Sequence, residues 1–109
     1  MKAQINQNEW TIYEVERGHN MLVINGEICR GTAHYRQQEI YLDNAFTKGR
    51  IFQVLCHELA HAYLYETQLE SIENINEEML CEFVGLYGKT IVDTALTYME
   101  WRKTNKQES

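Results

Sequence analysis

The sequence His57-Glu58-Leu59-Ala60-His61 lies within a mainly apolar run, residues 51–65, whose composition and length favour one helix. At helical pitch the two histidines are one turn apart, so both imidazoles project from one face and together can bind one metal ion. Glu58 lies about 100° round the helix from His57, where its carboxylate can reach a water held by that metal. This spacing is typical of two zinc ligands with a general base. A pattern of this length also arises by chance, so the rest of the chain has to support it.

Length and composition predict a single domain spanning residues 1–109. Hydrophobic residues make up 44% and charged residues 24% of the chain, which is ordinary for a globular protein. The formal net charge is −6, and the 10 lysines and arginines are scattered along the sequence. Binding to a nucleic-acid backbone requires clustered basic residues, so we expect no nucleic-acid partner. An acidic protein stays soluble or mildly favours basic partners.

The start of the chain and its cysteines indicate a cellular location. The residues after Met1 lack the apolar segment of a signal peptide, and no apolar run approaches the length of a membrane span. Cys29, Cys56 and Cys81 form an odd set without a Cys-x-x-Cys spacing, which predicts reduced, buried thiols. We therefore expect a cytoplasmic protein of a bacterium or of a phage-infected bacterial cell, without a membrane partner.

The first half of the chain has the residue types and alternation of β-strands. Residues 10–16 alternate apolar and polar side chains and predict a first strand. Residues 28–35 and 39–43 are predicted to pair antiparallel around a turn at 36–38. Together these segments predict a short, twisted, mostly antiparallel sheet of three strands.

Two further features of this half concern turns and close packing. Residues 21–24 form an apolar run that ends at Asn25-Gly26, a strong turn signal, and the run is interpreted as a strand or a buried turn. Gly31, inside the second predicted strand, indicates a β-bulge or the close approach of another backbone.

The second half of the chain is predicted to be helical. Asp43, Asn44 or Thr47 can cap a first helix that runs through both histidines to about Glu66. A polar linker, residues 67–76, follows this helix. The order of strands followed by helices predicts an α+β domain.

A second helix follows the linker, with Asn74 or Asn76 as its cap. Its apolar residues recur at helical spacing, and it either continues to Trp101 or breaks near Gly88. The chain therefore offers two helices that can pack against each other and the sheet.

A catalytic zinc takes three protein ligands and leaves one position open, so the two histidines form an incomplete site. On the second helix Glu78, Glu82 and Gly85 recur at i, i+4 and i+7 and form a polar stripe on one face. Glu78, in the first turn, is interpreted as the third ligand. Glu82 is placed to accept the free ring N–H of a ligating histidine, and Gly85 would let the helices approach closely. The competing third ligands are Glu77, Glu82 and Cys81.

An HExxH motif followed by a glutamate on a downstream helix resembles the gluzincin pattern. Residues 31–92 look like the minimal ImmA/IrrE-type metallopeptidases of phages and prophages. Larger members of that family have an alanine-asparagine pair followed by Phe-Ala, where this chain has Cys81-Glu82-Phe83-Val84. The resemblance implies a small zincin-like fold, a twisted sheet over the active-site helix. It assigns roles to His57, His61 and Glu78 as metal ligands, Glu58 as catalytic base and Glu82 as the supporting carboxylate.

The resemblance also implies an activity. The protein would be a zinc-dependent metalloendopeptidase, a hydrolase with one catalytic Zn²⁺, that cleaves a restricted protein substrate such as a phage or host regulator. Glu58 would take a proton from water and return it to the leaving amine, while a strand at the rim of the sheet, residues 31–35, could hold the substrate backbone. The alternative is a zinc-containing but non-proteolytic phage regulatory or protein-binding module. A regulatory protein partner is compatible with both.

Overall fold

Six strands and two helices follow one another along residues 1–67 and 76–105, which the computed structural model describes. The strands come first, as the alternation predicts, and the domain is α+β. A short 3-10 helix, Asn20–Leu22, follows the second strand. The elements are β1 Lys2–Ile5, β2 Asn8–Val15, β3 Val23–Ile24, β4 Glu27–Ile28, β5 Gly31–His34, β6 Glu39–Asp43, α1 Lys48–Glu66 and α2 Glu77–Asn105.

Four of these strands form one sheet in the order β1-β2-β6-β5, and β3 and β4 form a separate hairpin. The β2–β6 pair is parallel, whereas β1–β2 and β5–β6 are antiparallel. A mostly antiparallel sheet is therefore confirmed, but the prediction of three strands is wrong. The strand that the sequence did not reveal is β1, which buries only Ala3 and Ile5 and turns into β2 through Asn6 at φ 58° rather than through an Asn-Gly pair.

The predicted strands correspond to the observed ones with small shifts. Residues 39–43 are β6, and their antiparallel partner is β5, which places Gly31 opposite Leu42. The predicted partner, residues 28–35, is too long, because Ile28 pairs with Val23 in the β3–β4 hairpin. Residues 21–24 divide between the 3-10 helix and β3. The turn signal at Asn25-Gly26 is confirmed, because both residues have positive φ in the β3–β4 hairpin.

The hydrophobic core lies between the sheet and the helices. Side chains alternate across each strand, so β2 and β6 turn Ile12, Ile40 and Leu42 inward. Leu55 and Leu59 of α1 are fully buried in the same cluster. Burial of each such side chain stabilises the fold by about 1.5–3 kcal/mol relative to its exposure to water.

The helix α1 is tied to its surroundings at both ends. Thr47, one of the three predicted caps, accepts a hydrogen bond from the Arg50 backbone amide through its Oγ1 at 3.4 Å. At the other end the Glu66 carboxylate accepts hydrogen bonds from Asn8 Nδ2 and Trp10 Nε1, each at 2.7 Å. The predicted end of the helix at Glu66 is confirmed, and its carboxylate fixes α1 against β2.

The helix α2 begins as predicted and runs further than predicted. Asn76 Oδ1 accepts a hydrogen bond from the Met79 amide at 2.9 Å, whereas the alternative cap, Asn74, lies outside the described residues. The helix does not break at Gly88 and continues beyond Trp101.

Neither described helix combines the length and apolar character of a membrane span. The α2 side chains that are buried are Phe83, Ile91, Ala95 and Tyr98.

A buried ion pair attaches the end of α2 to the sheet. The Glu14 side chain, on the inward face of β2, has no exposed surface and forms a salt bridge with Arg102, whose Nε lies 2.6 Å from Oε2. The Tyr98 hydroxyl donates to the same oxygen at 2.5 Å. Burial first, and then the neighbouring carboxylate, raise the pKa of Tyr98, so its phenol stays protonated and acts as a donor.

Candidate metal centre

The two histidines of the motif lie side by side on α1. Their ring centroids are 4.8 Å apart, and both side chains are exposed. The prediction that helical pitch brings the imidazoles together is therefore confirmed. Two imidazole nitrogens at neighbouring positions on one helix are a suitable donor pair for zinc.

The protonation of His61 favours metal binding. Partial burial of the ring, and then the nearby His57, lower the pKa of His61 from its ordinary value. A lower pKa keeps more of this imidazole neutral at a given pH, and only the neutral ring has a lone pair for a metal ion.

Glu58 differs from the histidines because its side chain is largely buried, with 6% of the residue exposed. Within residues 1–67 and 76–105, no group donates a hydrogen bond to its carboxylate, and burial alone raises the pKa of this carboxyl to about 7. The carboxylate oxygens keep access to solvent through the cavity that Glu58 lines. A carboxyl group with a raised pKa that lines a cavity is a candidate for acid–base chemistry.

Gly31 of β5 lies directly against this part of α1. A Cβ atom added at Gly31 would be 2.6 Å from Val54 Cγ1 and 3.2 Å from Glu58 Oε2. The predicted close approach is thus present, although helix side chains rather than another backbone make it. Because β5 is an edge strand, Gly31 places the rim of the sheet beside the Glu58 carboxylate.

Replacing Gly31 by Ala is expected to destabilise the protein by about 1–3 kcal/mol, because the new methyl group overlaps the Val54 and Glu58 side chains, which have to shift. Urea denaturation measures the change. Gly49→Ala is the matched control, since an added Cβ there meets nothing within 4 Å and alanine is the better helix former. Combining Gly31→Ala with Val54→Ala should recover part of the loss; an additive double variant would contradict the close contact.

A cavity of about 410 Å³ opens next to the motif, between β5 and the first half of α1. His57 and Glu58 line one part of it. Arg30, in the loop before β5, and Arg50, in the first turn of α1, line it as well. Sequence reasoning missed both arginines. One feature of the sequence could have indicated Arg50. It lies in the first turn of a helix, where the helix dipole disfavours cations, and that turn has no acidic residue.

The predicted third ligand is not brought to the histidines. In the described ranges, no three His, Cys, Asp or Glu side chains are close enough together to hold a metal ion. Glu78 and Glu82 are exposed and line a shallow cavity with Phe83 and Leu86, so Glu82 does not support a histidine ring here. The expected close approach at Gly85 is wrong, because a Cβ there would meet nothing within 4 Å.

The packing of the two helices explains this arrangement. The Tyr63 ring of α1 contacts the Tyr87 ring of α2, with centroids 5.4 Å apart. His61 is two residues from Tyr63, and so about 200° round α1. The face of α1 that bears the histidines therefore points away from its contact with α2. Glu82 is in turn about 100° from Phe83, the buried residue next to it on α2.

The cysteines are free, as predicted, but they are not all buried. Cys29 and Cys56 are partly exposed and Cys81 is exposed. Burial raises the pKa of the Cys56 thiol, which is consistent with a packing role beside His57. Cys81 lies on the outer side of α2 because the buried face of that helix passes through Phe83.

No protein-family model, curated protein or solved structure matches the chain. A functional assignment therefore depends on the side chains themselves. Of the predicted site residues, His57 and Glu58 share one cavity and His61 contacts the His57 ring. Glu78 and Glu82 lie elsewhere, at the beginning of α2.

Proposed function

We propose that the protein is a zinc-dependent metalloendopeptidase that hydrolyses peptide bonds of a restricted protein substrate. The observation that carries this proposal is the buried Glu58 carboxyl, which has a pKa of about 7 and lies in a cavity beside His57. General-base hydrolysis requires a carboxyl of this kind next to the proposed metal ligands, in a cavity that a substrate can enter.

His57 and His61 would hold the metal, since their rings are adjacent and exposed. When bound, zinc would polarise the peptide carbonyl and lower the pKa of a bound water. A catalytic zinc requires a further protein ligand, and we propose Glu78 for that position, with Glu77, Glu82 and Cys81 as its competitors. Because Glu78 lies apart from the histidines in this structure, this assignment requires the beginning of α2 to move towards them when zinc binds. The zincin-like character of the fold, with the sheet over the motif helix, is part of the same proposal.

Glu58 would move the proton during hydrolysis. Burial raises the pKa of this carboxyl in the metal-free chain, which makes it a better proton acceptor than an exposed glutamate. The carboxylate accepts a proton from the attacking water, and the new carboxylic acid then donates it to the nitrogen of the leaving amine. The peptide bond and one water are consumed, and a carboxyl group and an amine are formed.

The substrate backbone would lie along β5, which is an edge strand of the sheet. An extended peptide can add to such an edge through main-chain hydrogen bonds. Gly31 has no side chain to separate this edge from Glu58. The substrate is proposed to be a phage or host regulator in the cytoplasm of a bacterial cell, because the resembling family includes peptidases that cleave repressors.

The experiment that tests this function is cleavage of a degenerate peptide mixture by the zinc-loaded protein, followed by mass spectrometry. We expect cleavage at internal peptide bonds, loss of cleavage on treatment with a chelator and recovery on addition of zinc. Cleavage that persists in excess chelator would contradict a metallopeptidase.

A second candidate is a zinc-containing protein-binding module without activity. It is favoured by apolar side chains in the first three turns of α2, where Leu80, Val84 and Leu86 are each more than half exposed. Such a module would keep its partner when Glu58 is changed to Gln, whereas a peptidase would lose turnover in the same variant.

A further inference from the structure

We infer that the cavity beside the motif binds an acidic side chain of the substrate, within about three residues of the cleaved bond. The inference rests on the proposed peptidase function and specifies the substrate class of that site. The observation behind it is that Arg30 and Arg50, from two different elements, line the cavity that also contains His57 and Glu58.

The two arginines are available to a ligand. Both side chains are exposed, and neither forms an ion pair with another residue in the described part of the chain. Among the residues that the structure describes, Glu58 is the only acidic one that lines this cavity. Guanidinium groups match the geometry of a carboxylate and can bind it with two parallel hydrogen bonds.

Arg50 is placed where stability alone would disfavour it. The first turn of α1 contains Lys48 and Arg50 and no acidic residue, although the positive end of a helix dipole favours acidic side chains. The protein as a whole is acidic, with a net charge of −6. Lys48 and Arg50 are therefore cations at a helix end that favours acidic residues, in a chain that is acidic overall. An anionic partner would explain their position, and the dipole of α1 would also attract it.

The spacing along α1 sets the position of this contact relative to the cleaved bond. Arg50 precedes His57 by seven residues, which is about 10.5 Å along the helix axis. For an extended substrate that runs alongside α1 and advances about 3.3 Å per residue, this separation corresponds to about three substrate residues.

The test uses matched peptides in which one position at a time, up to three residues on each side of the cleaved bond, is Asp, Asn or Lys. We expect one position at which Asp is preferred to Asn by about 10-fold or more in kcat/KM, the range for hydrogen bonds to a charged group. The double variant Arg30→Gln/Arg50→Gln should lose this preference, and Arg50→Glu should shift it towards Lys. Arg36→Gln is the control, because Arg36 lies in the exposed turn between β5 and β6 and does not line the cavity.

A binding measurement separates failure of this inference from failure of the peptidase function. The same peptides are titrated against the zinc-loaded Glu58→Gln protein, with and without the two arginine substitutions. Cleavage without a preference for Asp, or a preference that survives Arg30→Gln/Arg50→Gln, would overturn the inference and leave the peptidase function standing. If no peptide is cleaved but Asp peptides bind in an arginine-dependent way, the cavity assignment holds and the peptidase function fails. Absence of both overturns both.

Discussion

Replacing Glu58 by Gln is expected to lower the turnover of a cleaved peptide by about 10²- to 10⁴-fold while the protein keeps its zinc. Glutamine has nearly the same shape as glutamate and still fits between Val54 and Gly31, but it cannot accept and return a proton. Because both imidazoles remain in place, the metal content should not change. Single-turnover cleavage and metal analysis of the same preparation measure the two effects together.

The controls for this variant come from the burial of Glu58. A neutral amide replaces a carboxylate that has no hydrogen-bond donor in the described structure, so the metal-free variant should be at least as stable as the wild type. Glu16→Gln, at an exposed position outside the strands, should retain full activity. Undiminished cleavage by Glu58→Gln would remove Glu58 from the mechanism, and a large loss of stability would give it a structural role instead.

Replacing Glu14 by Ala is expected to destabilise the protein by about 3–5 kcal/mol, the cost of removing one partner from a buried ion pair. The substitution takes the carboxylate away from Arg102 and leaves the buried Tyr98 hydroxyl without this acceptor. Tyr98 and Arg102 lie near the C-terminal end of α2, so in this variant that end of the helix should separate from β2 first during unfolding. Urea denaturation followed by circular dichroism gives the free energy of unfolding.

Glu16→Ala is the matched control for this change, because Glu16 is two residues further along and exposed. Its effect should stay within about 0.5 kcal/mol. If Glu14→Ala proved as mild as Glu16→Ala, the ion pair would not hold α2 to the sheet. Tyr98→Phe removes only the hydroxyl and should cost less than Glu14→Ala, at about 1 kcal/mol.

The parts of the fold that were predictable are those with strong local signals. Alternation located β2 and β6, and the Asn25-Gly26 pair located the β3–β4 turn. The strand β1 was missed because it is four residues long and buries only two side chains. The extent of α2 was uncertain because Gly88 weakens a helix locally, and tertiary packing of Ile91 and Tyr98 carries the helix past it.

The candidate site divides in the same way. His57, Glu58 and His61 are related by one turn of one helix, so their mutual arrangement follows from sequence alone. The position of Glu78 relative to the histidines depends on which face of α2 packs against α1. The polar stripe of Glu78, Glu82 and Gly85 does not predict which face that is. The cavity arginines come from two separate elements, and only the folded chain shows that Arg30 and Arg50 line one space.

Zinc content tests most directly whether this motif forms a metal centre. Plasma mass spectrometry after dialysis should find about one zinc per chain in the wild type and almost none in His57→Ala and His61→Ala, with His19→Ala unchanged as the control. Glu78→Ala should weaken zinc retention if Glu78 is the third ligand; unchanged affinity would transfer that role to Glu77, Glu82 or Cys81. A wild-type protein without zinc, or histidine variants that retain it fully, would contradict a metal centre at His57 and His61.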